Sequence, residues 1–147
     1  MKAVAKILIE IDGAYLFAGK SRVRDRGRLE LLGGHVEAED DGPFEALLRE
    51  LGEEEETGLL AKEISRIRPA DEKFKIGNRL QHVYRCNLGT FRWQALRPNR
   101  KEISTFVLVQ RETIESPEYF LENAKLFTDM TKKLFQAMYR QEDSQIL

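Results

Sequence analysis

The sequence is poor in the residues that build specialised scaffolds. Its 147 residues include one cysteine, which excludes an intramolecular disulfide and a zinc site made of several cysteines. That cysteine, Cys86, lies in a strand-like run, and we expect it to be a buried, unreactive thiol. No stretch reaches the ~18 apolar residues that a transmembrane helix requires. We therefore expect a soluble, cytoplasmic protein with no membrane partner.

The sequence also lacks an excess of either charge. Lys and Arg number 24 and Asp and Glu number 25, so the net charge is −1 and gives no indication of nucleic-acid binding. This balance hides a basic segment, 20–28, that shortly precedes an acidic segment, 37–56. Guanidinium groups suit phosphates. Arg22, Arg24 and Arg28 are therefore candidate phosphate-binding residues, and we expect one or two of the four arginines of this segment to contact the ligand.

The chain has the length of one domain, and neither a linker nor a repeat divides it, so residues 1–147 are taken as a single domain. Alternating apolar residues predict a strand over 3–11, followed by a turn at Asp12-Gly13 and a returning strand over 14–18. Further strands are predicted at 29–32, 60–68, 79–88 and 103–109. The alternation over 3–11 would allow this strand to pair with a second copy, so we keep a homodimer as a prediction.

Two helices complete the predicted fold. Apolar residues spaced three and four apart predict the first helix, from Pro43 towards Gly58. The second helix is predicted over about 117–140, beginning at Ser116-Pro117. The order of strands, helix, strands and helix favours an α/β fold in which a mixed sheet packs between helices.

Three glutamates give the first helix its chemistry. Glu50, Glu53 and Glu54 are related by i, i+3 and i+4, so their carboxylates converge on one face of a regular helix. Converging carboxylates repel one another unless a hard cation holds them, and oxygen ligands favour Mg²⁺ or Mn²⁺. Arg49 stands four residues before Glu53 and can orient it. Two glycines, Gly33 and Gly34, precede this helix and allow the backbone to approach a ligand.

Together these residues resemble the Nudix box, G-x5-E-x7-R-E-U-x-E-E-x-G-U, over about residues 33–59. The matching residues are Gly33-Gly34-His35-Val36-Glu37, followed by Arg49-Glu50-Leu51-Gly52-Glu53-Glu54 and by Gly58-Leu59. The resemblance implies an α/β/α sandwich and metal-dependent cleavage of a diphosphate that joins a nucleoside to another moiety. It implies that Glu50, Glu53 and Glu54 bind the metal, with the Gly33 carbonyl joining them. It also makes Arg49 the orienting arginine and places Glu37 at the substrate.

The box departs from the family pattern on both sides of this core. The loop before the helix is one residue too long, so the box acid falls at Asp40 or Asp41. Three residues, rather than one, separate Glu54 from Gly58, and we expect the helix to end or bulge after Glu54. A rival alignment places the bulge near Gly52 and moves the metal ligands to Glu55 and Glu56. In the first alignment those two residues are only surface charge.

Glu102, just before the strand at 103–109, is a candidate metal ligand or general base. Glu53 is the other candidate for the general base. The first functional hypothesis is a Nudix-type pyrophosphohydrolase that uses Mg²⁺ or Mn²⁺ on a small nucleotide-type substrate. The second is a Nudix-fold module that binds a nucleotide without hydrolysing it, which the irregular box favours. The intact carboxylates favour the enzyme. Neither hypothesis identifies the substrate, because fold-level analogy does not specify it.

Overall fold

A mixed β-sheet forms the centre of the protein, and the computed structural model describes residues 2–21 and 25–139. The strands are β1 (Lys2–Ile11), β2 (Ala14–Lys20), β3 (Leu29–Glu30), β4 (Leu32–His35), β5 (Asp71–Ile76), β6 (Arg79–Asn87) and β7 (Ile103–Gln110). The helices are α1 (Pro43–Glu54), α2 (Leu59–Ile67), α3 (Arg111–Glu115), α4 (Pro117–Asn123) and α5 (Asp129–Tyr139). No helix among these residues is long and apolar enough to span a membrane.

Strand β1 is the central strand of the sheet. It pairs with β6 in parallel along nearly its whole length, and on its other side it pairs antiparallel with β4 through Val4–Ile7 and with β2 through Ile9–Ile11. β2 then leaves β1 and pairs with β7 and with β3, while β5 extends the sheet beyond β6. Both sides of β1 are therefore occupied, so the proposed pairing of this strand with a second copy is wrong. A homodimer through another surface stays a prediction.

The two faces of the sheet are covered by different helices. The alternation predicted for β1 is confirmed, because Ala5, Ile7, Ile9 and Ile11 all enter the core shared with α1 and α2. The opposite core is dominated by aromatic residues, among them Phe17 from β2 and Phe135 from α5. Burial of these two apolar layers is the main stabilising contribution to the fold. The predicted α/β/α sandwich is confirmed.

The secondary structure differs from the sequence-based prediction in several places, among them the predicted strand at 29–32, which is divided into β3 and β4, and helix α3, which was not predicted. Residues 59–67 form helix α2 rather than a strand, because Leu60 and Ile64, four residues apart, bury one helical face against the core. Residues 71–76 form strand β5, which was not predicted; it is an edge strand of the sheet, and none of its residues is fully buried. The C-terminal helix is divided into α4 and α5 by a 3₁₀ turn at 124–126. Residue 140, the predicted end of that helix, lies outside the described residues.

Close contact between β4 and α1 places the glycine pair beside the acidic helix. A Cβ added to Gly34 would lie 2.5 Å from Cδ of Glu50. At Gly33, where φ is +123°, a Cβ would lie 2.1 Å from the backbone oxygen of Ala5. Glycine is required at both positions, since any side chain would collide with the sheet or with a carboxylate of the site.

Candidate active site

The C-terminal end of helix α1 sets the register of the acidic residues. The helix is continuous through Gly52 and ends at Glu54, after which Glu55 adopts extended backbone angles. Glu50, Glu53 and Glu54 therefore keep the i, i+3 and i+4 relation of a regular helix. The bulge near Gly52 that the rival alignment requires is not present in this helix.

Glu55 is buried and hydrogen-bonded, although the sequence predicted a position on the surface. It is 1% exposed, and its carboxylate accepts hydrogen bonds from the backbone amides of Thr57 and Arg97 and from the Thr57 hydroxyl. The prediction that Glu55 is only surface charge is wrong. Its carboxylate closes the turn after α1 and attaches it to the segment that leads towards β7. Glu56, in contrast, is exposed.

Three carboxylates converge at the end of α1. One oxygen each from Glu50, Glu54 and Glu102 lies within 4.8 Å of the other two. Glu54 is held by the backbone amide of Gly33, which donates a hydrogen bond of 2.8 Å to Glu54 Oε1. The structure thus brings two of the predicted metal ligands on the helix, Glu50 and Glu54, together with Glu102, which precedes β7. Glu53 lies on the same cleft but outside this cluster, with its side chain 47% exposed.

Asn99, which the sequence analysis did not identify, brings Glu102 to the end of helix α1. Its backbone amide donates to the carbonyl of Glu54 at 2.8 Å, and its side-chain Nδ2 donates to the carbonyl of Glu53 at 2.9 Å. Its own carbonyl accepts from the backbone amide of Glu102 at 3.0 Å. Asn99 therefore satisfies the free carbonyls at the end of α1 and fixes Glu102 beside them. An asparagine in a loop carries no signal of this role in a single sequence.

Electrostatic crowding perturbs the acids of the cluster. Burial raises the pKa of Glu54 to about 8, although Lys6 and the Gly33 amide oppose the shift. Burial, followed by repulsion from Glu53, also raises the pKa of Glu50. The carboxylates are thus gathered without enough positive charge to keep all of them ionised. A divalent cation would supply that charge, and a cluster made only of carboxylate oxygens fits Mg²⁺ or Mn²⁺.

Two lysines, the buried Lys6 and the half-buried Lys20, form the other wall of the site. Lys6 Nζ donates to the carbonyl of Gly33 at 3.2 Å and lies 3.6 Å from Glu30, which also pairs with Lys20 at 2.9 Å. Burial alone would raise the pKa of Glu30, but the two lysines hold it below its ordinary value. The Gly33 carbonyl, predicted as a metal ligand, is therefore a hydrogen-bond acceptor for Lys6. The signal for Lys6 was its charge between apolar neighbours in the middle of β1.

Arg49 connects the loop before α1 to the acidic face. Its Nε and Nη2 each lie 3.0 Å from a different carboxylate oxygen of Asp40, a bidentate pair. The box acid left open between Asp40 and Asp41 is therefore Asp40, whose pKa Arg49 lowers through these hydrogen bonds. Nη1 of Arg49 donates to Glu50 at 3.1 Å and to Glu53 at 3.2 Å. The guanidinium group orients both carboxylates, as predicted from the i, i+4 spacing to Glu53.

A cleft of about 550 Å³ runs beside these residues. Glu37 and Glu53 line it together with the cluster, and the Glu37 side chain is 56% exposed and 3.9 Å from Arg49. Arg28 does not line this cleft but an adjoining pocket of about 550 Å³, where its Nη1 lies 3.9 Å from Asp25. Arg22 and Arg24, the other predicted phosphate contacts, lie outside the described residues.

Comparison with known proteins places this geometry in a family. The NUDIX domain matches residues 1–130, and the chain therefore belongs to the NUDIX family. Its fold is similar to a MutT protein from Methanosarcina mazei, with a TM-score of 0.58, 17% identity and coverage of 96% of this chain and 94% of that one. It is also similar to an Ap4A hydrolase from C. elegans, with a TM-score of 0.55, 15% identity and coverage of 95% and 100%. No curated protein matches by sequence.

A third similar structure is a larger protein. The bifunctional NMN adenylyltransferase/ADP ribose pyrophosphatase of Francisella tularensis, complexed with AMP and a manganese ion, has a TM-score of 0.67 and 12% identity. The similarity covers 95% of this chain and 41% of that one, so the present chain spans about two fifths of its length. At these identities the similarity establishes the shared fold.

Proposed function

We propose that the protein is a pyrophosphohydrolase that uses Mg²⁺ or Mn²⁺ to cleave the diphosphate linkage between a nucleoside and another moiety. The observation that carries this proposal is the convergence of Glu50, Glu54 and Glu102 beside an open cleft. Carboxylates concentrated in this way favour binding of a hard cation, and such a cation in turn binds phosphate oxygens. Membership of the NUDIX family supports the same conclusion, as does the similar Francisella structure with AMP and manganese.

The carboxylates of the site would have two separate roles, binding the cation and accepting a proton. Glu50, Glu54 and Glu102 would hold the cation, which supplies positive charge against the diphosphate when it is bound. Glu53 lines the same cleft outside the cluster, with its side chain 47% exposed, and it would accept the proton of the attacking water. Arg49 fixes the orientation of Glu53 through its Nη1.

The lysines beside the cleft would act on the substrate before and after cleavage. Lys6 and Lys20 both line the cleft, close to the carboxylate cluster. Their partner, Glu30, neutralises only one of the two ammonium groups, which leaves one positive charge at this wall. That charge would attract the diphosphate and favour the more highly charged phosphate products. The predicted contacts from Arg22, Arg24 and Arg28 would add to this attraction on the adjoining side.

Hydrolysis is tested directly with the purified chain. Incubation with MgCl₂ or MnCl₂ and a panel of nucleotide sugars, dinucleoside polyphosphates and nucleoside triphosphates should release two phosphate-bearing products, detected by ³¹P NMR. Chelation should stop the release. Calorimetry on the same panel tests the alternative of a nucleotide-binding module: tight binding with the ligand recovered intact would contradict hydrolysis.

Glu53 and Glu56, three residues apart, provide a matched pair of variants. Glu53→Gln should lower turnover by at least about 10², because it removes the proposed base and one partner of Arg49. Glu56→Gln, on the exposed side of the turn, should stay within a few-fold of the parent. Loss of activity in Glu56→Gln with full activity in Glu53→Gln would contradict the assignment of the site to the first alignment.

A further inference from the structure

Gln81 has an unusual environment for a buried amide. It lies in the middle of β6, opposite Val4 of β1 on one side and Phe74 of β5 on the other, and it is 1% exposed. Neither its Nε2 nor its Oε1 has a hydrogen-bond partner among residues 2–21 and 25–139. Buried polar groups are nearly always paired, so a carboxamide with both ends unpaired indicates a missing partner.

The position of Gln81 relates it to the active site. It lines the cleft that also contains Glu50, Glu54 and Glu102. The register places Gln81 opposite Val4, and Lys6, two residues further along β1, pairs with Gly33. Strand spacing and rise then put the Cα atoms of Gln81 and Gly33 roughly 12 Å apart. The amide therefore lies away from the phosphate end of the site by about the length of a nucleotide.

The chemistry of the amide restricts what it recognises. A carboxamide is uncharged and presents a donor and an acceptor side by side. It therefore complements a planar group with an adjacent acceptor and donor, as the edge of a nucleobase has, and bidentate pairing of Gln with adenine is the known example. Val4 and Met130 line the same cleft with apolar surface, which suits the faces of a base, and Met130 is flexible enough to move aside.

We propose that Gln81 is a specificity-determining residue that hydrogen-bonds the edge of the substrate's nucleobase. This inference deepens the proposed function and rests on it in one respect, namely that the ligand of the cleft is a nucleotide. The diphosphate would then lie between the carboxylate cluster and Lys6, and the base would reach the floor of the cleft at β6. Hydrolysis itself does not enter the argument, so binding measurements test the inference separately.

Calorimetry with AMP, GMP, CMP and UMP, and with ribose 5-phosphate as the probe without a base, measures the contribution of the base. At least one nucleotide should bind about 10- to 100-fold more tightly than ribose 5-phosphate. Gln81→Met, which keeps the length of the side chain and removes both polar atoms, should remove most of that difference and leave ribose 5-phosphate binding within twofold. Gln110→Met, at the exposed end of β7, is the matched control and should change neither.

A measurement on the unaltered chain protects the test against a variant that fails to fold. The ¹⁵N side-chain amide signal of Gln81 should shift on addition of the tightest nucleotide and not on addition of ribose 5-phosphate. The inference would be overturned if Gln81→Met weakened the binding of nucleotides and of ribose 5-phosphate equally, or weakened neither. It would also be overturned if the amide signal of Gln81 did not change when the nucleotide bound. In each of those cases, the hydrolysis assay above would still stand. Conversely, base-dependent binding through Gln81 without turnover would overturn hydrolysis alone.

Discussion

Glu54→Gln should stabilise the metal-free protein at neutral pH and should weaken the stabilisation that Mg²⁺ gives. Glu54 is 5% exposed, and its pKa is raised from 4.5 to about 8, with burial as the largest cause. The unfolded chain releases this proton near its ordinary pKa, whereas the folded chain keeps it. Between these two pKa values the folded state binds more protons, so the free energy of unfolding falls as the pH rises.

The size of the effect follows from one retained proton. A single group contributes at most about 1.4 kcal/mol per pH unit in this window. From pH 5.5 to 7.5, the free energy of unfolding of the parent chain in EDTA should therefore fall by roughly 2 to 3 kcal/mol relative to that of Glu54→Gln. This change corresponds to about 5 to 10 °C in Tm. The glutamine still offers an oxygen to the Gly33 amide, so the fold should survive the substitution.

Thermal unfolding at pH 5.5, 6.5 and 7.5, with and without MgCl₂, measures both consequences. In EDTA the Tm of the parent should fall relative to that of Glu54→Gln as the pH rises. Adding Mg²⁺ should raise the Tm of the parent most at pH 7.5, since binding favours the ionised carboxylate, and should raise that of the variant little. Glu56→Gln is the control, and its Tm should follow the parent throughout. Parallel curves for parent and Glu54→Gln would refute the argument that Glu54 is a desolvated acid poised for a cation.

Three further substitutions test the parts that hold the cluster together. Gly34→Ala should weaken Mg²⁺ binding and turnover at least about tenfold, measured by calorimetry and initial rates, because the new Cβ displaces the Glu50 carboxylate. Glu55→Gln should cost about 1–3 kcal/mol in urea unfolding with turnover within a few-fold, because an NH₂ group replaces one of the buried acceptor oxygens; loss of catalysis at full stability would contradict this. Asp40→Asn should lower kcat about tenfold while KM changes little, because it breaks the bidentate pair that orients Arg49; an unchanged kcat would show that Arg49 keeps its position alone.

The sequence by itself determined the mixed sheet between helices and the acidic helix, because the first follows from the order of locally predicted elements and the second from short-range periodicity. The alternation in β1 identifies its core face without knowledge of the partners. The i, i+3, i+4 spacing brings the glutamates to one side of any regular helix. The same rules misassigned residues 59–67, where a short apolar run fits either a strand or a helix.

Only the tertiary structure decided which acids meet and what surrounds them. Glu102 joins Glu50 and Glu54 because Asn99 ties two segments that are distant in sequence, and Glu55 is buried because Arg97 lies against it. The unpaired amide of Gln81 is likewise invisible in a strand sequence that reads as ordinary. These features depend on long-range hydrogen bonds and on desolvation, which the complete fold creates and no local pattern of residues encodes.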